Sequence, residues 1–243
     1  IKSKGIPFLV SLDKGESYIL ASQDSNNELI GTLVTSTKPI VVNTGAASGS
    51  FATTTGGQDY GFDQIVGSDL VGSEYIFIRG NGNDDWENVL LIADQDNTEI
   101  LVNGQPYATI AKAGDFRIIE GDNYSSNSAG ANMYVRTLNL DHKLFAFQGT
   151  GSVYQSAFAA AANQGMFFVP PLNCSSKGDV NNIASIDKVG NKTFEGAVTF
   201  VTKKDAEILI NNTAIENYSD VIGPSNVSGN DNYVTYIVKN LTG

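Results

Sequence analysis

Residues 89–104 read VLLIADQDNTEILVNG and contain two candidate β-strands, Val89–Ala93 and Glu99–Val102. Both are rich in the branched apolar residues that suit a pleated, half-buried surface. The dipeptide Asn103-Gly104 directly follows the second strand, and it is the pair that two-residue hairpin turns favour. The stretch therefore predicts an antiparallel β-hairpin with its turn at Asn103-Gly104.

The same kind of pattern continues on both sides of this hairpin. Period-2 alternation is frequent, whereas the 3.6-residue period of an amphipathic helix is nearly absent. The only helix-like composition is Ser156–Asn163, which suits a single turn or an apolar loop equally well. Further predicted strands are Phe8–Leu12, Ser17–Ala21, Leu29–Thr35, Ile40–Asn43, Tyr75–Arg79, Phe116–Glu120, Met133–Leu138, Lys143–Gln148, Ala197–Thr202, Glu207–Ile210 and Tyr233–Val238.

Internal similarity indicates a repeated unit. DNTEILVNG at residues 96–104 parallels KDAEILINN at 204–212, and KGESYIL at 14–20 parallels AGDFRII at 113–119. We therefore expect an all-β fold of tandem β-sandwich-like modules built from an internally repeated unit. The expected modules are 1–75 with its front truncated, 76–172, and 173–243 with its end truncated; a propeller-like ring is the alternative.

Composition narrows the class of protein. Of 243 residues, 41% are hydrophobic, so the chain has material for a buried core. The formal net charge of -11 argues against binding to a nucleic-acid backbone. The chain starts at Ile1 without a signal peptide or initiator Met and has no apolar run long enough to span a membrane, so we expect a segment excised from a larger protein.

A polar loop is the strongest candidate for metal binding. Closely spaced oxygen-bearing side chains are what a hard cation such as Ca²⁺ requires, although the spacing is not that of an EF-hand. A solvated acidic surface without a ligand is the alternative. For the nearby Asp96-Asn97-Thr98, the alternative is that the side chains cap a hairpin turn. The candidate calcium ligands are Asn81, Asn83, Asp84, Asp85 and Glu87.

Aromatic residues beside polar loops are candidates for ligand binding, because a flat apolar face next to hydrogen-bonding groups suits a sugar or a protein partner. Packing beneath a loop is the alternative for each of them. The candidates are Tyr60, Trp86, Tyr124 and Tyr154.

The chain offers few groups for catalysis. His142 is the only histidine and Cys174 the only cysteine, so neither a serine triad nor a histidine-based zinc site has its usual partners. An acid pair such as Asp84 and Asp85 could form a hydrolase site, but no motif fixes its geometry. We therefore expect no catalytic residues and no required cofactor.

Several segments resemble the IgGFc-binding protein N-terminal domain family. They are residues 38–45 (KPIVVNTG), 59–66 (DYGFDQIV), 72–77 (GSEYIF), 146–151 (AFQGTG) and 164–172 (QGMFFVPPL). The closest resemblance is to bacterial members found in very large secreted proteins with gliding-motility or type IX secretion sorting domains.

The resemblance implies a β-rich extracellular domain with an adhesive or binding role and brings no catalytic residue with it. We therefore expect a cell-surface adhesion segment that recognises a glycan or a protein through its loops, with calcium as an optional aid. The alternative is a structural spacer or stalk without a ligand of its own.

Overall fold

The computed structural model of the chain describes residues 5–22, 29–49, 59–80, 82, 84–150, 165–172, 178, 180, 183 and 186–242. These residues form antiparallel sheets, with three 3₁₀ turns and no α-helix among them. The all-β prediction is therefore confirmed. The strands are β1 (Val42–Gly49), β2 (Asp59–Ile65), β3 (Glu74–Ile78), β4 (Val89–Ala93), β5 (Thr98–Val102), β6 (Gln105–Ile110), β7 (Phe116–Ile119), β8 (Asn132–Thr137), β9 (Leu144–Thr150), β10 (Gly165–Phe168), β11 (Lys188–Val189), β12 (Lys192–Thr193), β13 (Gly196–Lys203), β14 (Leu209–Ile210), β15 (Thr213–Ala214), β16 (Val221–Asn226) and β17 (Tyr233–Leu241).

A β-sandwich forms the centre of the molecule. One sheet has the strand order β10-β9-β4-β7 and the other the order β3-β8-β5-β6. Alternate residues of each strand point into the space between the sheets, as the two-residue period of a strand requires. The shared core includes Tyr75, Phe77, Val89, Leu91, Ala93, Ile100, Val102, Ile110, Ile119, Met133, Val135, Leu144 and Ala146.

The predicted hairpin has the expected turn. Asn103 and Gly104 both have positive φ, at 51° and 82°, and Val102 pairs with Gln105 across the turn. Asn211 and Asn212 repeat the arrangement, with φ of 48° and 61°. Asparagine and glycine tolerate this left-handed conformation better than other residues, which is why the sequence signal was reliable. Repetition of a whole module, and the three module boundaries, stay predictions.

A third sheet, ordered β13-β17-β16, packs against the outer face of the sandwich. Val227 is buried against Ile76 and Tyr134, which lie on the side of β3 and β8 that faces away from the core. The buried Asn132 side chain donates hydrogen bonds to Asn226 O at 3.1 Å and to Thr235 Oγ1 at 2.9 Å. The third sheet is therefore fixed to the sandwich by both apolar and polar contacts.

The N-terminal strand predictions were wrong. Phe8–Leu12, Ser17–Ala21 and Leu29–Thr35 are extended or turn-like but join no sheet. Leu9 is 95% exposed and Ile19 87% exposed. Their alternation was real, but a strand also needs a neighbouring strand, and the described residues provide none for these segments.

Several other strands of the structure were not predicted from the sequence. β6 contains Pro106 and β16 contains Gly223-Pro224, residues that normally argue against a strand. Both strands lie at the edge of a sheet, where a missing amide hydrogen bond is tolerated. The strands β2, β10, β11, β12 and β15 were also not predicted. The helix-like Ser156–Asn163 lies outside the described residues. No described helix has the length and apolar character needed to cross a membrane.

Tyr75 connects the two sheets of the sandwich. Its buried hydroxyl accepts a hydrogen bond from Gly72 N at 3.0 Å and donates one to Leu144 O at the start of β9. Burial raises the pKa of Tyr75 from 10.0 to about 12. The neutral hydroxyl is therefore the form that the fold stabilises.

We expect the stability of the chain to fall as pH rises from about 10 to about 12. In that window the unfolded tyrosine has lost its proton while folded Tyr75 keeps it, which lowers the free energy of unfolding by about 2–3 kcal/mol. Urea unfolding at several pH values measures this loss. Tyr75→Phe should show a shallower alkaline decline, and an unchanged decline in that variant would contradict the assignment.

Candidate functional site

Two loops meet at one end of the sandwich. Residues 79–88 follow β3, and residues 120–131 connect β7 to β8. Arg79 N donates to Ala131 O at 2.8 Å, Gly130 N donates to Arg79 O at 3.2 Å, and Gly121 N donates to Asp84 O at 3.2 Å. We call the described residues of these two loops the loop end.

Arg79 lies at the centre of the loop end and is only 2% exposed. Its guanidinium donates hydrogen bonds to Gly121 O at 3.0 Å and to Gly82 O at 2.7 Å. It also forms an ion pair with Asp84, with Nη1 and Oδ1 2.8 Å apart, and lies over the Tyr124 ring. A planar guanidinium with several fixed donors is suited to joining separate loop segments in this way.

Glu87 is the second buried charge of the loop end and has no exposed surface. Its carboxylate accepts hydrogen bonds from Gly80 N at 2.9 Å and from Gly82 N at 2.7 Å. Next to it, the Asn88 side chain donates to Asp85 O and accepts from Gly121 N. Buried charges are tolerated when they are hydrogen-bonded in this way, so these residues define the shape of the loop.

The structure brings several of the candidate calcium ligands into this network. Asp84 pairs with Arg79, and Glu87 accepts hydrogen bonds from two backbone amides. Within the described part of the chain, no three Asp, Glu, His or Cys side chains come together as a metal site would need. Asn81 and Asn83 lie outside the described residues. Calcium binding by this loop stays a prediction.

The four candidate ligand-binding aromatics have different positions. Trp86 is 3% exposed and Tyr124 is 5% exposed, so both rings pack beneath the loops, the alternative that the sequence left open. Burial, aided by the negative charge of Glu87, raises the pKa of Tyr124 well above its usual value. Tyr60 belongs to β2, but its side chain, like the whole of Tyr154, lies outside the described residues.

The groups considered for catalysis do not come together among the described residues. His142 is half-buried at the opposite end of the sandwich, where its Nδ1 lies 3.3 Å from Thr98 Oγ1. The Thr98 hydroxyl donates to Gln95 O at 2.8 Å and so holds a turn. Asp84 of the candidate acid pair is engaged by Arg79, and Cys174 lies outside the described residues.

Two residues that organise the loop end, Arg79 and Gln148, were not predicted as site residues. Arg79 was placed at the end of a predicted strand, and Gln148 at the end of another, without a role for either side chain. Gln148 Nε2 donates to Ile78 O at 2.7 Å and to Tyr124 Oη at 3.0 Å, which fixes the loop end to β3 and β9. A charged residue directly after an apolar strand was the only signal available.

One comparison with known proteins gives a match. A family model described as "IgGFc binding protein" matches residues 1–240, nearly the whole chain. The family consists of binding domains that are typically extracellular, and it is not known as enzymatic. No curated protein and no solved structure shows significant similarity to the chain.

Proposed function

The chain belongs to the IgGFc binding protein family, and from this premise we propose that it recognises a glycan or a protein partner outside the cell through the loop end. The observation that carries the proposal is the family match over residues 1–240. Arg79, Glu87 and Gln148 support it, because they hold the loops in one shape and a preorganised surface loses less conformational entropy on binding.

The proposal includes the setting of the chain. We propose that the chain is part of a large secreted protein displayed at the cell surface, of the kind associated with gliding motility, and its resemblance to bacterial family members supports this setting. The net charge of -11 suits an exposed surface that resists non-specific adhesion. The family name refers to the Fc part of immunoglobulin G, so an Fc fragment is one probe among several rather than the expected ligand.

A structural spacer is the second candidate function. The third sheet is fixed to the sandwich through Asn132, Val227 and Gly229, which supports a stiff arrangement of neighbouring sheets. Such a spacer would hold another domain away from the cell and would have no ligand of its own. Ligand binding separates the two candidates.

We expect the 243-residue chain to bind saturably to at least one member of a panel of glycans and extracellular proteins that includes an Fc fragment. The panel is measured once in buffer with CaCl₂ and once with a chelator. Loss of binding in the chelator would support the calcium part of the proposal. If the chain binds no member of the panel, the result would contradict the binding proposal and favour the structural spacer.

The midpoint of thermal unfolding tests calcium binding independently of the ligand panel. If Ca²⁺ binds only the folded state, added CaCl₂ raises the midpoint by mass action. Asp85→Asn should reduce that rise if Asp85 is a ligand. A midpoint that does not respond to CaCl₂ removes calcium from the proposal and leaves glycan or protein recognition in place.

A further inference from the structure

β1 and β2 form a two-stranded sheet, and the outer edge of β1 has no partner strand among the described residues. β1 pairs with β2 alone. On the other edge, Ile40 is 49% and Val41 69% exposed. Residues 40–44 contain no charge, no proline and no bulge, the features by which edge strands usually avoid pairing with other chains. This edge is therefore built to accept another strand.

The sandwich contains a second hairpin with the same register. Gly45 pairs with Phe62 in the first hairpin, and Gly149 pairs with Met166 in the hairpin of β9 and β10. Both partners are shifted by 104 residues (149 minus 45, and 166 minus 62). The other three residue pairs of β9 and β10 match pairs of β1 and β2 with the same shift. The two hairpins are therefore equivalent strand by strand.

In the second hairpin, the equivalent edge is occupied. β9 pairs antiparallel with β4 over Leu144–Gln148. The same shift places the equivalent site at residues 40–44, the start of β1 and the two residues before it. The occupant of this position in the sandwich, β4, is a short apolar strand with the sequence VLLIA. The missing partner of β1 is accordingly a strand of the β4 type.

The structure also indicates which amide groups would bind such a strand. Gly149 N donates to Asn88 O, so the backbone of Gly149 faces β4. Backbone groups alternate along an antiparallel strand, so Phe145 and Phe147 face β4 as well. By the 104-residue shift, Val41, Asn43 and Gly45 direct their amides at the unpaired edge of β1.

A second segment supports the same conclusion. β4 pairs on its other side with β7, and β7 parallels residues 17–20 in sequence. Residues 17–20 join no sheet, and Ile19 is 87% exposed. Both segments that should flank a β4-like strand in the first module are present, and neither pairs with such a strand in the part of the chain that the structure describes.

We propose that an apolar β4-like strand, supplied by the same protein from outside residues 1–243, adds antiparallel to residues 40–44, which comprise the start of β1 and the two residues before it. Within the described residues, β4 is paired on both sides, by β7 and β9, and β13 pairs with β17 and not with β1, so neither occupies the position. The inference rests on the proposed origin of the chain in a larger protein. Backbone hydrogen bonds would provide the affinity, and the apolar side chains the specificity.

The test uses a synthetic peptide with the sequence of residues 87–94, ENVLLIAD, added to the 243-residue chain. We expect the amides of Val41, Asn43 and Gly45 to exchange with deuterium at least about tenfold more slowly at saturating peptide. No protection of these amides would overturn the proposal. Protection that instead rises with protein concentration in the absence of peptide would identify a second copy as the occupant and also overturn it.

Two N-methylated peptides provide matched controls. In the chain, Asn88 O faces β9 and Ala93 N faces β7, so the even-numbered backbone groups of this strand face β9. Methylation at Leu90 N should abolish protection, whereas methylation at Leu91 N should preserve it. Equal behaviour of the two peptides would show non-specific binding and contradict the proposal. The readout does not depend on the ligand panel, so this inference and the proposed function can fail separately.

Discussion

Arg79→Met lowers the free energy of unfolding by about 3–5 kcal/mol in our account, the largest effect we expect from a single substitution. The guanidinium is 2% exposed and binds Gly82 O, Gly121 O and the Asp84 carboxylate. Methionine has a similar length but no donors, so these acceptors would lose their partner in a buried setting. Urea denaturation of the purified chain measures the loss.

Arg117→Met is the matched control for this prediction. Arg117 is exposed on β7 and lies over the Tyr107 ring, so its removal should cost no more than about 1 kcal/mol. Arg79→Lys should fall between the two variants, because it keeps the charge but loses the planar set of donors. A loss for Arg79→Met no larger than for Arg117→Met would show that the loop end does not depend on this side chain.

Gly229→Ala is the second large expected effect and concerns the docking of the third sheet. Gly229 has a φ of 82°, and a Cβ atom there would lie 2.5 Å from Gly104 N and 2.6 Å from Asn103 C. Both neighbours are backbone atoms of a tight turn and cannot move aside as a flexible side chain could. We expect a loss of about 2–4 kcal/mol from backbone strain and steric overlap together.

Gly15→Ala is the control that separates the cost of backbone strain at positive φ from the cost of steric overlap by the added Cβ atom. Gly15 has a similar φ of 89°, but a Cβ atom there would meet nothing within 4 Å. Its substitution should therefore cost no more than about 1–2 kcal/mol. Hydrogen exchange adds a local readout, since Gly229→Ala should speed exchange in β17 while β4 stays protected. Equal losses in the two variants would contradict close docking at Gly229.

The centre of the fold could be predicted from the sequence because its signals are local. Val89–Ala93 is apolar at every position and becomes a central strand, and Asn103-Gly104 gives the turn that its conformational preferences favour. Phe8–Leu12 has a similar alternation but no neighbouring strand. The alternation of apolar and polar residues shows which side chains of a segment can be buried on one face. Whether the segment becomes a strand also depends on a partner strand elsewhere in the chain, which a local pattern does not reveal.

The loop end could be predicted only in outline. Its polar composition marked residues 81–88, but the partners that fix it, Gly121 and Tyr124, are more than thirty residues away in the sequence. The same limit applies to Trp86. An aromatic ring in a polar loop has the same sequence signature whether it faces a ligand or packs beneath the loop, and the structure shows it buried.

The most direct test of ligand recognition at the loop end compares two charge-reversed variants with the unmodified chain. Glu120→Lys with Asp122→Lys changes exposed residues of the loop end, and Asp115→Lys with Asp141→Lys changes exposed residues at the opposite end by the same charge. We predict that affinity for the ligand found in the panel changes by about tenfold or more in the first variant and by less than about twofold in the second. Equal affinities in all three proteins, or a change confined to the second variant, would contradict the account.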